Sequence, residues 1–512
     1  MKWTSPTTLI LVALAGLPGN GIAKNPPPLP RAEELVIYEI ATKSFTSPNG
    51  PGSGTFDSLR KRIPYLADLG INAVWLSGHS RSDPSHFYNI RTQYACIEPD
   101  RFDPSMGTPD DFRKMVDDFH RHGIRVFLDV ITHGVLKGSP MIERHPDWFQ
   151  GNGTKGSWGM IDYQWNDAPE PLEAWWVKLW TDMALKYGVD GFRLDTNAKR
   201  PDLWRKIQAK CADRGVEIII FNESLFEKGY GDVIRFAQGF RYFDIQTGFD
   251  PERARKAPEN LLAQGEAERK AKTPGAESFL RAVELSCHDA GWEGFPANKN
   301  PYVVQGRRWV FGYAGVLLPS IVVMMSGEEF DCDFRPLPRL ASGLYGAENV
   351  GKGRWLYGSW IDWDQLNRDE KRAMFEDARR LLAIRREYAD LIHSVPIGET
   401  PRLKPLSVAW IGDASEKMPT PYLLWNDRRA LLVAGNPSTN RDAVAEANLE
   451  SILSELWPKV DRFELQDVRT PNSAPTEKRR EAFGHLRIRI GKDGISGGGV
   501  AILRIRPLKQ VD

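Results

Sequence analysis

Three acidic residues, Asp195, Glu223 and Asp289, each close a short apolar run, and they follow one another along the chain. The runs are Gly191-Phe192-Arg193-Leu194-Asp195, Val216-Glu217-Ile218-Ile219-Ile220-Phe221-Asn222-Glu223 and Ala282-Val283-Glu284-Leu285-Ser286-Cys287-His288-Asp289. Carboxylates at the C-terminal ends of successive buried strands face one shared site when those strands form a parallel barrel. Three acids in one pocket suit the cleavage of a sugar–sugar bond, where one carboxylate attacks the anomeric carbon and another moves a proton on the leaving oxygen.

Neighbouring residues sharpen this reading. Side chains two apart on a strand share a face, so Arg193 and Asp195 are expected to point into the same mouth. A guanidinium beside Asp195 lowers its pKa and keeps it ionised, as a nucleophile must be. Glu223 needs the opposite treatment, a pKa near the working pH, so that it can donate and later accept a proton. His288, beside Asp289, is a candidate for binding sugar hydroxyls.

The elements that must hold these groups are legible as alternating strands and helices. Strands are predicted at Leu35 to Ile40, Asn72 to Leu76, Arg125 to Val130, the runs ending at Asp195 and Glu223, Tyr242 to Ile245, Arg281 to Leu285 and Ile321 to Met325. Helical stripes fall between them: Leu59, Ile63, Leu66 and Leu69 within Ser58 to Gly70; Phe112, Met115, Val116 and Phe119 up to Gly123; and Leu172 to Tyr187. Eight strands separated by helices over about 300 residues predict an α/β fold, a (β/α)8 TIM barrel over 35–394. A doubly wound open sheet is the structural alternative. Residues 133–171, rich in Gly, Pro, Asp and Trp, read as an enlarged loop after the third strand or a small subdomain. From about 395 to 512, short apolar runs broken by turns predict an antiparallel β-sandwich, with Glu446 to Leu456 as a helix inside it.

Composition sets limits on function. Lys plus Arg number 68 and Asp plus Glu 67 in 512 residues, so a net charge of +1 provides no field for nucleic acid. The 17 Trp suit stacking on sugar rings as well as core filling; Trp158, Trp165 and Trp292 fall in loops expected near the mouth. Cys96, Cys211, Cys287 and Cys332 lack metal-ligand spacing and read as buried free thiols, so no metal is assigned. Lys2, the apolar run Leu9 to Leu17 and Gly21-Ile22-Ala23 form a signal-peptide pattern over 1–23. A Pro-rich linker follows over 24–34. The expected location is secreted or periplasmic, with no membrane partner after cleavage.

These motifs together resemble the α-amylase superfamily, glycoside hydrolase family 13. The Asp195 run, Glu223 and His288-Asp289 resemble three of its signature regions, and Asp129-Val130-Ile131 resembles its first. Tyr38-Glu39-Ile40, Tyr65 through Leu76, Phe102 through Thr108, and Ser326-Gly327-Glu328-Glu329 extend the match, which covers about 35 to 365. The resemblance implies Asp195 as nucleophile, Glu223 as general acid/base and Asp289 as transition-state stabiliser. It implies Arg193 and His288 as sugar contacts, Asp129 as a support for Arg193, Tyr88 as a stacking platform and His133 as a further substrate contact.

The sequence departs from the family pattern in several places. His133 stands one position early, and the usual Asn of that region is missing. Asn89 replaces an aspartate, and Ala198-Lys199-Arg200 replaces a Lys-His pair. The first loop, 47–52, lacks the carboxylates that hard cations require. No cofactor is therefore expected to be required, with calcium a weak option. The partner is an oligosaccharide or polysaccharide. Hydrolysis at an α-glucosidic bond is the first reading; transfer on the same residues and noncatalytic carbohydrate binding are the others. Glu328 and Glu329 are expected to tie loops together.

Overall fold

The computed structural model describes residues 26–508, except 51, 158, 224–230, 245–247, 272–274, 289–307, 334, 337–358 and 413–416. Seven strands of the main sheet run parallel: β1 (Val36–Ile40), β2 (Ala73–Leu76), β3 (Arg125–Val130), β4 (Gly191–Leu194), β5 (Ile219–Asn222), β7 (Ala282–Glu284) and β8 (Ile321–Met325). The strand between β5 and β7, β6, comes in two pieces, Phe236–Ala237 and Phe240–Arg241. Its first piece pairs with β5 and its second with β7, while β8 pairs with β1. The sheet is therefore a ring, which excludes the open doubly wound sheet.

The sixth strand corrects the sequence reading. Tyr242 to Ile245 was the expected strand, but the barrel uses Phe236–Arg241 instead, and Phe243–Asp244 pairs antiparallel with Gly248–Phe249; residue 245 lies outside the described residues. Gln238 and Gly239 interrupt the apolar run and hide its period. Gly239 adopts φ +99°, and a Cβ there would lie 2.1 Å from the Ala282 carbonyl oxygen. The chain can hand its hydrogen bonds from one neighbour to the other only where no side chain intervenes.

Helices cover the ring. The expected helix Ser58 to Gly70 is divided into Phe56–Arg60 and Ile63–Leu69, because Pro64 cannot extend a helical ladder from within. Gly70 ends it in the left-handed conformation. Pro109–Arg121 starts at a Thr108–Asp111 capping box. Glu170–Tyr187 and Pro201–Ala212 flank β4. Phe127, Phe221 and Trp75 are fully buried inside the ring; each such side chain stabilises the fold by about 1.5–3 kcal/mol. The segment after β3 holds a small antiparallel pair, Gly134–Leu136 with Met160–Asp162, and the helix Pro140–Arg144.

The C-terminal part is a β-sandwich. Its six-stranded sheet has the order Leu403–Pro405, Tyr422–Trp425, Ala430–Gly435, Val500–Pro507, Arg462–Asp467 and Thr476–Arg479. Its three-stranded sheet contains Val408–Ile411, Ala443–Ala447 and Leu486–Ile490. Leu423, Leu432, Phe463, Ile488 and Ile505 pack between the sheets. The expected helix from Glu446 is corrected: Ala443–Ala447 alternates as a strand, and the helix is Glu450–Leu456. Asp493 Oδ1 accepts from the Arg308 and Trp309 amides at 2.8 and 3.1 Å, joining sandwich to barrel. Arg469 and Asp377 meet at 2.5 Å across the same boundary, both buried.

Gly239→Ala tests the closure of the ring. It is expected to cost more than about 2 kcal/mol in urea or thermal unfolding; a cost under about 1 kcal/mol would show that the ring closes without this backbone geometry.

Candidate functional site

Parallel pairing carries the candidate acids to one rim. The Asp195 amide donates to the Val130 carbonyl at 2.9 Å and the Glu223 amide to Leu194 at 3.1 Å, each one residue past its strand. Register places Asp129 opposite Arg193 and Glu284 opposite Arg241. Asp195 and Glu223 are the half-open members, with side chains 14% and 18% exposed.

Arg193 joins them. Its Nη1 donates to Asp195 Oδ1 at 2.6 Å and to Asp129 Oδ1 at 3.1 Å, and its Nη2 lies 3.3 Å from Glu223 Oε2. Its Nε donates to Gln238 Oε1 at 2.9 Å, and its guanidinium lies 4.9 Å from the centre of the Trp75 ring. Burial alone would raise the pKa of Asp195; Arg193 and His133 more than reverse this and hold its carboxyl below the usual range. Burial raises Asp129, with Arg193 opposing and the charge of Asp195 adding to the rise. Two acids in contact with one cation are thus driven apart, Asp129 upward and Asp195 downward.

His133, one position early in sequence, still reaches the site. Its Nε2 lies 3.6 Å from Asp195 Oδ2 and its Nδ1 3.2 Å from Asp162 Oδ1. Burial would lower its pKa, but the bonds to Asp162 and Asp195 raise it to about 9. Thr196 follows Asp195 at φ +60°, a conformation that branched side chains avoid, and this turns its amide to donate to Glu223 Oε2 at 2.7 Å.

A second layer lies beneath. His288 Nδ1 is 2.6 Å from Glu39 Oε1, its amide donates to Glu39 Oε2 at 3.1 Å, and its Nε2 is 3.0 Å from the Tyr94 hydroxyl. That hydroxyl donates to Asp129 Oδ2 at 2.7 Å, so Glu39, His288, Tyr94, Asp129 and Arg193 form one buried chain of bonds. Burial pushes Glu39 up, and His288 with Arg91 bring it down to about 2.

Among the described residues, one trio, Glu39, Cys287 and His288, has donor atoms close enough for a common ion, within 4.8 Å of one another. Its carboxylate is already bonded to His288 and Arg91, and its thiol and imidazole do not suit calcium, which prefers many oxygens.

The structure thus gathers Asp195, Glu223, Arg193, Asp129, His133 and His288. Asp289, Trp158 and Trp292 lie outside the described residues, as does the side chain of Tyr88. Asn89 is occupied structurally, accepting from Lys43 Nζ at 2.8 Å and donating to Ser82 at 2.7 Å. Trp165 is half-buried, packs against Trp176 at 5.1 Å and donates to the Thr132 carbonyl. Glu329 accepts from the Tyr38 and Tyr65 hydroxyls, and Glu328 from Ser286, with burial raising Glu328 to about 8. All four cysteines are buried. Sequence reasoning passed over Tyr94, Gln238, Arg241 and Glu284. A charge inside the apolar run Ala282-Val283-Glu284-Leu285 was the available signal.

Comparison with known proteins agrees with this geometry. Residues 39–141 match the model of the α-amylase catalytic domain. The alpha-amylase MalA of Haloarcula japonica is 27% identical over 328 residues, 58% of this chain and 44% of that protein. Over these stretches the chain is similar to the α-amylase superfamily. A trehalose synthase of Thermus thermophilus is 34% identical over 141 residues, 27% of this chain and 13% of that protein. The chain therefore spans less than half the length of these curated relatives. The crystal structure of a Geobacillus thermoleovorans α-amylase complexed with acarbose has a similar fold, with TM-score 0.63, 14% identity and coverage of 93% of this chain and 99% of that one.

The raised His133 has a testable consequence for stability. A histidine whose pKa is higher in the folded state stabilises fully below its unfolded value, near 6.5, and that contribution disappears as pH rises through about 9. Between these limits the wild type is expected to lose on the order of 3 kcal/mol relative to His133→Gln in chemical denaturation. Parallel stability curves for the two proteins would refute the ion pair.

Proposed function

We propose that the chain is an exported retaining glycoside hydrolase acting on α-glucosidic bonds of α-glucans or oligosaccharides. The observation that carries this reading is the single guanidinium of Arg193 lying against both Asp195 and Glu223. It sets an ionised carboxylate and a second, half-open carboxyl group side by side at the mouth. In the first step Asp195 attacks the anomeric carbon, the bond to the leaving oxygen breaks, and Glu223 gives that oxygen its proton. A glycosyl ester on Asp195 results. In the second step Glu223 takes a proton from water, whose oxygen attacks the same carbon and releases Asp195. Asp289 stabilises the developing positive charge, and His288, His133 and Tyr88 bind the sugar. Arg193 and the charged His133 keep Asp195 anionic and poised between turnovers.

Transfer to a sugar hydroxyl in place of water uses the same residues, and the similarity to a trehalose synthase favours it as the second reading. The pattern Lys2, Leu9 to Leu17, Gly21-Ile22-Ala23 supports export, which N-terminal sequencing of the mature protein would check. No helix among the described residues is long and apolar enough to cross a membrane.

The test is sugar release from starch, maltooligosaccharides, isomaltose, trehalose and sucrose, with NMR of the first-formed anomer. The α-anomer is expected. Glu223→Gln is expected to lower kcat about 10²- to 10⁴-fold, and Asp195→Asn to abolish turnover. Inactivity of the wild type on the whole panel would remove the hydrolase reading. Dominant transfer products would favour the second reading, and binding without turnover that Glu223→Gln leaves unchanged would mark a carbohydrate-binding protein.

A further inference from the structure

Glu223 is faced by a guanidinium on each of its oxygens. Arg193 Nη2 lies 3.3 Å from Oε2, and Arg241 Nη2 lies 3.8 Å from Oε1. Arg241 is itself held. Its Nε donates to Glu284 Oε2 at 3.2 Å, across the β6–β7 register that places the two residues opposite each other. Gln238 Nε2 donates to the same Glu284 oxygen at 2.9 Å, while Gln238 Oε1 receives Arg193 Nε at 2.9 Å. The five side chains Arg193, Gln238, Glu284, Arg241 and Glu223 therefore close a ring of polar contacts. Gln238 and Glu284 are fully buried, and Arg241 is 20% exposed.

We infer that Arg241, anchored by Glu284, is a positioning residue that holds the Glu223 carboxyl group on the leaving-oxygen side of the bond. The argument is geometric. A glutamate side chain has three rotatable bonds, and a proton donor misplaced by even 1 Å loses much of its effect. Arg193 fixes only Oε2, together with the Thr196 amide. Arg241 is the described cation facing Oε1, the other oxygen. Glu284 is fully buried, and an acidic side chain there is costly unless partners such as Arg241 and Gln238 compensate it. Gln238 shares one Glu284 oxygen with Arg241, so a shift of either strand disturbs both guanidinium groups together. The inference rests on Glu223 being the acid/base, and it adds residues from β6 and β7 that the superfamily resemblance did not supply.

The test separates proton donation from general damage by the choice of leaving group. Fluoride leaves without needing a proton, whereas a sugar alcohol needs one. Arg241→Met, Arg241→Lys, Glu284→Gln and the Arg241→Met/Glu284→Gln double variant would be assayed on a maltooligosaccharide and on α-glucosyl fluoride. Arg241→Met is expected to lose about 10- to 100-fold in kcat/KM on the oligosaccharide and to stay within about threefold of wild type on the fluoride. Arg241→Lys is expected to restore most of the loss. The double variant is expected to be no worse than Arg241→Met, because both act through one contact. Thermal melts would be run on every variant.

Equal losses on both substrates, or no loss on either, would overturn the inference, as would additive losses in the double variant. Glu223→Gln is the control. If it does not show the same leaving-group pattern in larger measure, the acid/base assignment fails instead of the Arg241 inference. A crystal structure of Arg241→Met gives a readout independent of turnover: the Glu223 carboxyl group is expected to leave its wild-type position, and an unmoved carboxyl group would also overturn the inference.

Discussion

A guanidinium buried in the mouth of the barrel constrains everything around it. Arg193 has no access to water, and the effective cost of placing an ion there is several kcal/mol unless carboxylates and acceptors surround it. Asp129 on β3, Asp195 and Glu223 at the ends of β4 and β5, and Gln238 on β6 provide that environment. Four consecutive strands must therefore keep their registers together, since a slip of one residue turns a side chain to the other face. The demand for compensation and the demand for catalysis coincide: the groups that make Arg193 tolerable are the groups the proposed chemistry uses.

The charge beneath the mouth follows the same logic on the opposite wall. Glu39 on β1 meets Arg91 at 2.5 Å and His288 at 2.6 Å, with all three buried. Tyr94 links this group to Asp129, so the two halves of the ring communicate through one phenol. A substitution in either half unsettles the partners in both, and effects on the rim are expected to be coupled instead of additive.

Much of this was legible in the sequence because the strands carrying Arg193, Asp195 and Glu223 are buried on both faces and read as continuous apolar runs. Arg125–Val130 and Ile321–Met325 were readable for the same reason. The sixth strand was not, because its use of Gln238 and Gly239 at the handover between neighbours erases the apolar run. Pro64 divided a helix whose stripe looked unbroken. Local reading left Trp165 open between packing and a platform, and the structure shows its packing against Tyr163 and Trp176. Glu284 and Arg241 escaped notice because their meaning is pairwise: neither residue says anything alone, and only the register across β6 and β7 brings them together.

The ties between barrel and sandwich bear on how a substrate enters. Asp493 caps amides ahead of β8, and Arg469 reaches Asp377 in a contact closed to water. Rocking one part against the other would strand a carboxylate and a guanidinium without partners and open a stretch of backbone. Hinge motion between these two bodies is therefore an expensive way to admit the proposed substrate. The sandwich is therefore a fixed buttress behind the barrel.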